Sequence, residues 1–225
     1  MFRTEEQLVE SFITQTAPCV WTRREYAPNV RTTFEATCSE GRADWVWATS
    51  AQSWNPKMKE SVAELMQNPT SSLLLSLLKT EAVRTEQYLL DRTGVSRTTI
   101  RRTITDLIEW GLVEAPSDGR FVLGKSFEIP DLEICTFEFK LDDWRRAFYQ
   151  ATRYRSFSHR VYVVMPSLTV HRAFEYLSSF RQQNIGLLSH SPDKGSTRIL
   201  ASRKRRPRSR SGFIKAVGML QQQGN

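Results

Sequence analysis

The chain has 225 residues, 40% of them hydrophobic and 25% charged, which is enough to bury a core in one large domain or two small ones. Its net charge of +8 points to an anionic partner, yet residues 201–225 alone carry seven Lys and Arg and no acid, so the remainder is nearly balanced. No apolar run approaches the roughly 20 residues of a bilayer span, the first residues lack the layout of a signal peptide, and three cysteines (Cys19, Cys38, Cys135) without a CxxC or Cys/His cluster suggest neither disulfides nor zinc. A cytoplasmic protein with buried thiols is expected, with no membrane partner.

The first predicted element is a helix in "TEEQLVESFI", opened by a capping box of Thr4 and Gln7. Turning about 100° per residue, it sets Glu5 near the middle of the face made by Leu8, Val9, Phe12 and Ile13, with Glu6 at the edge. Both acids also suit the first turn for electrostatic reasons alone. Two strands follow to residue 50. The second, in "GRADWVWATS", places Asp44 at the entrance of an apolar run whose tryptophans are read as core rather than base-stacking residues.

Breakers in "SWNPK" and "LGKSFEIPD" border a block at 57–125 that reads as helices ending in a short hairpin around "SDGR". Thr85 and Ser96 are placed to cap two helices separated by the turn "TGVS". In the second helix Ile100, Ile104, Leu107 and Trp110 share one side, leaving Arg97, Thr98, Arg101, Arg102 and Thr105 outward. The block resembles a winged helix-turn-helix domain. That resemblance implies a recognition helix from Ser96 to Trp110 in a DNA major groove and a wing at "APSDGRF" carrying Arg120. Protein-binding or dimerisation roles are the alternative for such a domain.

Past residue 130 the pattern returns to strand, helix, strand, helix, strand. In "EICTFEFK" alternation sets Ile134, Thr136, Glu138 and Lys140 on one face and Cys135, Phe137, Phe139 and Leu141 on the other. The helix "DDWRRAFYQATRY" and the apolar strand "RVYVVMP" then suggest a βαβ unit with a central first strand, where a carboxylate and an ammonium need a use. Gln150 and Tyr154 lie one turn apart on that helix. His159, His171 and His190 are scattered and read as structural, and no Walker loop, GxGxxG or GxSxG is present. The stretch "SRKRRPRSRSG", with Arg203, Lys204, Arg205 and Arg206, reads as a basic tail able to bind phosphates non-specifically.

Taken in order, "GRAD" (Gly41 to Asp44), "EFK" (Glu138 to Lys140) and "QATRY" (Gln150 to Tyr154) resemble the motifs of the PD-(D/E)xK restriction-endonuclease-like nucleases, RecB-type branch. Ala43 stands where that family usually has proline. The resemblance implies an α/β fold: a restriction-endonuclease-like core, a central mixed sheet flanked by helices, with an inserted winged helix-turn-helix domain. The domains would be core at 1–56 and 126–200, winged helix at 57–125 and basic tail at 201–225. It implies Asp44, Glu138 and the Phe139 carbonyl as ligands of Mg²⁺ or Mn²⁺, Glu5 as a further ligand, and Lys140 at the attacking water. Gln150 and Tyr154 would contact phosphate or position Lys140. A DNA nuclease follows, without an organic cofactor and in a possible homodimer, since two centres cut two strands. A DNA-binding regulator or scaffold on an inactive nuclease-like fold is the other reading.

Overall fold

A computed structural model describes residues 2–15, 30–38, 41–50, 60–125, 127–129 and 131–222. Cys19, the Cys38 side chain and the "SWNPK" border lie outside the described residues. In chain order the elements are α1 (Glu5–Gln15), β1 (Val30–Cys38), β2 (Gly41–Ser50), α2 (Glu60–Gln67), α3 (Pro69–Leu77), β3 (Arg84–Thr85), α4 (Glu86–Thr93), α5 (Arg97–Glu109), β4 (Val113–Ser117) and β5 (Arg120–Leu123). They continue as β6 (Leu132–Phe139), α6 (Trp144–Tyr154), β7 (Arg160–Pro166), a 3-10 turn (Val170–Tyr176), α7 (Leu177–Gln183), β8 (Ile185–Ser191), β9 (Gly195–Leu200) and α8 (Arg210–Gln222). Two compact units result: residues 1–53 with 131–208, and residues 54–130 with 209–225.

The first unit is a mixed six-stranded sheet in the order β1-β2-β6-β7-β8-β9. Strands β6, β7 and β8 run parallel, while β1, β2 and β9 are joined antiparallel. Every residue of β6 is buried, as a strand flanked on both edges and covered on both faces must be. Leu8 and Phe12 of α1 pack with Trp45, Trp47, Cys135, Phe137 and Phe139, so the tryptophans are core residues. The opposite face receives α6, with Trp144, Ala147, Ala151 and Tyr154 buried. Cys135 is a free, buried thiol.

β6 also carries a second buried acid that the sequence reading overlooked. Glu133, 3% exposed, is paired with Arg160 and with Lys204 Nζ at 3.3 Å. Nearby, His159 Nδ1 accepts from Ile134 N–H at 3.0 Å. Burial, helped by Lys204, pushes the His159 pKa from 6.5 down to about 4. A base whose folded pKa is depressed contributes stability that is fully present above 6.5 and is lost as pH falls toward about 4. His159→Asn keeps an acceptor but cannot titrate, so urea midpoints across that window should fall less steeply with acid than those of the native chain.

The second unit holds α2, α3 and α8, together with α4, α5 and the three-stranded sheet β3-β5-β4. Thr85 Oγ1 accepts from Tyr88 N–H at 3.1 Å and Ser96 Oγ from Thr99 N–H at 3.2 Å, the two caps expected from sequence. Gly94 ends α4 at φ 64°, a left-handed conformation that costs a glycine little. Leu89, Ile100, Ile104 and Leu107 form the buried stripe, but Trp110 is 36% exposed and sits at the C-cap of α5 instead of in that stripe. Gly218 lets α8 lie against α2, since a Cβ there would meet the Ala63 carbonyl at 2.6 Å.

Residues 201–225, expected as one basic tail, divide between the units. Residues 201–208 are an ordered strap on the first, and α8 is packed in the second with Ile214, Val217 and Leu220 buried.

Candidate functional site

The sheet register brings the motif residues together. β2 and β6 pair with Trp45 opposite Phe137, and one further step sets Asp44 beside Glu138. The ladder stops there because the Phe139 N–H donates to Asp44 Oδ2 at 2.8 Å. Just beyond the strand, the Lys140 N–H is held by the Val164 carbonyl of β7 at 3.1 Å. Its ammonium donates to Glu5 Oε2 at 3.0 Å and to the Phe139 carbonyl at 2.8 Å, and lies 3.2 Å from Glu138 Oε1. Glu5, Asp44, Glu138 and Lys140 are thus one cluster. Glu6, by contrast, is exposed.

Glu138 is fully buried, and its Oε1 has only the charge pairing with Lys140 and no directed hydrogen bond. Burial and the neighbouring Asp44 raise its pKa from 4.5 to about 7, against the opposing pull of Lys140 and Tyr154. Asp44 is also raised, by burial and then by Glu5, although the Phe139 N–H and Lys140 oppose the shift. Burial works against the Lys140 charge, but Glu138, Glu5 and Asp44 outweigh it and lift its pKa.

Tyr154 Oη lies 2.6 Å from the Arg42 carbonyl and 2.8 Å from Glu138 Oε2. A phenol has one hydrogen to donate, so Tyr154 serves these two acceptors alternately or by sharing it. Gln150 is half-buried on the same helix, and its Oε1 is buried without a partner. A cleft of about 560 Å³ opens beside Glu5 and Asp44. Its wall includes Phe34, 52% exposed and stacked on Trp45, which sequence alone gave no reason to select.

The donor set suits a hard divalent cation in kind: carboxylates of Glu5, Asp44 and Glu138, plus the Phe139 carbonyl. Among the described residues, however, no three His, Cys, Asp or Glu are arranged to hold a metal. Lys140 already engages Glu5, Glu138 and the Phe139 carbonyl, while Asp44 is turned to the Phe139 N–H.

On α5 the outward residues differ in freedom. Arg97 and Arg101 both pair with Glu86, at 3.0 and 2.8 Å, whereas Arg102 and Thr98 are exposed. The Thr105 hydroxyl is turned back to the Arg101 carbonyl at 3.0 Å. Arg120, on the segment expected as a wing, is exposed at the start of β5, directly after the turn from β4. On the strap Arg203, Arg205 and Arg206 are exposed, but Lys204 is engaged by Glu133.

Residues 70–117 match the HTH domain family, the region of α3, α4, α5 and β4. The match suggests DNA as a partner and supports the helix-turn-helix reading of this unit. No curated protein and no solved structure matches the chain. No helix among the described residues is long and apolar enough to cross a membrane.

Proposed function

We propose that the protein binds DNA through its helix-turn-helix unit and hydrolyses phosphodiester bonds at the Glu5–Asp44–Glu138–Lys140 cluster, as a restriction-endonuclease-like, metal-dependent nuclease. The observation that carries the enzymatic part is the meeting of Asp44, Glu138 and Lys140 at the end of β6, from segments separated by the whole winged helix. A Mg²⁺ or Mn²⁺ ion held by Asp44 and Glu138, with Glu5, would lower the pKa of bound water and offset charge on the scissile phosphate. Lys140, with its charge secured by three acids, would orient the attacking water or stabilise charge developing on the phosphate. Tyr154 fixes the Glu138 carboxyl, and Gln150 offers an amide toward phosphate or Lys140.

A second reading, a DNA-binding regulator whose nuclease-like core is a scaffold, fits the HTH domain match at least as well as an enzyme does. The engagement of Lys140 with Glu5 and Glu138, which occupies the cluster without a metal, also favours it. A binding assay with labelled duplex addresses what the readings share. Arg97→Ala with Arg102→Ala should weaken binding roughly tenfold, about 1.4 kcal/mol. Binding by the native chain that ignores this pair of changes would remove the helix-turn-helix from the interface under both readings.

A further inference from the structure

The strap at 201–208 has no regular secondary structure, yet its backbone is fastened along its length. The Asn184 side chain grips Arg203 twice: Oδ1 accepts from the Arg203 N–H at 2.9 Å and Nδ2 donates to the Arg203 carbonyl at 2.8 Å. Ser202 Oγ donates to the Asn184 carbonyl at 2.9 Å and accepts from Val161 N–H at 3.2 Å. Further on, the N–H groups of Arg205 and Arg208 donate to the carbonyls of His159 and Arg155 at 3.1 and 2.9 Å. Asn184 can do this because it closes α7 in the left-handed conformation, φ 57° and ψ 42°, which asparagine tolerates well. Gly186 completes the seat, since a Cβ there would lie 2.9 Å from the Ser202 backbone nitrogen.

Fastening an extended strap sends alternate side chains to opposite sides. Lys204 goes to Glu133, while Arg203 and Arg205 line a pocket of about 300 Å³ with Arg181, Asn184, Leu200 and Ala201. No acid lines this pocket, and among the described residues none of its three guanidiniums has an acidic partner. Positive charge is crowded here: burial, then Arg208 and Arg205, lower the pKa of the buried Arg155 to about 10. The fixed backbone of Arg203 and Arg205 and the helix under Arg181 set where the three side chains begin, and a guanidinium fork matches the oxygens of a tetrahedral oxyanion.

We infer that the Arg181–Arg203–Arg205 pocket is a preformed phosphate site that takes a backbone phosphate of nucleic acid, a contact separate from the helix-turn-helix. This assignment rests on the DNA-binding reading. Asn184 is its positioning residue, acting through Arg203.

The test is binding of labelled duplex DNA by the full chain over a series of salt concentrations. Arg181→Ala with Arg205→Ala should lower the slope of log K against log salt by about 1. Asn184→Gly retains the left-handed cap but loses both grips, and should lower affinity while the melting of the second unit is unchanged. Lys194→Ala, at an exposed lysine of the β8–β9 turn outside the pocket, should change the slope far less than the double variant and serves as the reference for non-specific charge removal. Native binding with an unaltered slope in the double variant overturns the pocket alone, whereas absence of duplex binding by the native chain overturns the DNA reading as well. A third arm titrates inorganic phosphate: if it binds the native pocket at millimolar concentration while the DNA slope is indifferent to the double substitution, the site serves free phosphate and the nucleic-acid assignment falls.

Discussion

Replacing Lys140 with alanine is expected to abolish metal-dependent DNA cleavage, with a loss of about 10²-fold or more, because one preorganised donor at a developing charge is worth that much. The assay compares supercoiled plasmid and labelled single- and double-stranded DNA in Mg²⁺, Mn²⁺ and EDTA. Glu138→Ala should be equally inactive for a different reason, since it removes the buried acid that Lys140 and Tyr154 hold in place. A readout independent of turnover accompanies it: Mg²⁺ or Mn²⁺ should raise the melting temperature of the native chain and leave that of Glu138→Ala unmoved. Duplex binding by a native chain that leaves every substrate intact in either metal would sink the nuclease reading and leave the regulator.

Arg160→Met is expected to cost about 3 kcal/mol of stability in the first unit. Glu133 is 3% exposed, and removing the closer of its two cationic partners leaves a buried carboxylate under-compensated. Breaking such a pair costs roughly 3–5 kcal/mol, and Lys204 at 3.3 Å keeps the loss at the lower end. The fall in melting midpoint should be on the order of 10 °C. Adding Glu133→Gln should restore most of it, because the unpaired charge leaves with its partner. A single variant as stable as the native chain would show that Lys204 alone suffices for Glu133.

What could be read from the sequence was what local physics writes into neighbouring residues. Thr85 and Ser96 announced their helices because a hydroxyl accepting an N–H three residues on is a local event. The apolar period of α5 and the central position of β6 were equally visible. The cluster at Lys140 was legible only through motif order, and the choice of Glu5 over Glu6 came from helix rotation; it is Glu5 that reaches Lys140. Glu133 was missed because its partners, Arg160 and Lys204, come from β7 and the strap, and no spacing in the sequence links them. The strap was misread for a related reason. "SRKRRPRS" has the composition of a solvated tail, and the order it shows is imposed by Asn184 and His159 from outside the segment. Trp110 met the helical period but fell where the helix ends, so it lies at the surface.

Glu86 gives α5 a property that a count of its arginines conceals. Arg97 and Arg101 share one carboxylate, which lies between them. Under the DNA-binding proposal, a phosphate taken by either arginine would compete with that internal partner, so α5 would hold a duplex less firmly than two free guanidiniums. On that proposal, one acidic side chain would keep α5 from clinging to DNA by charge alone.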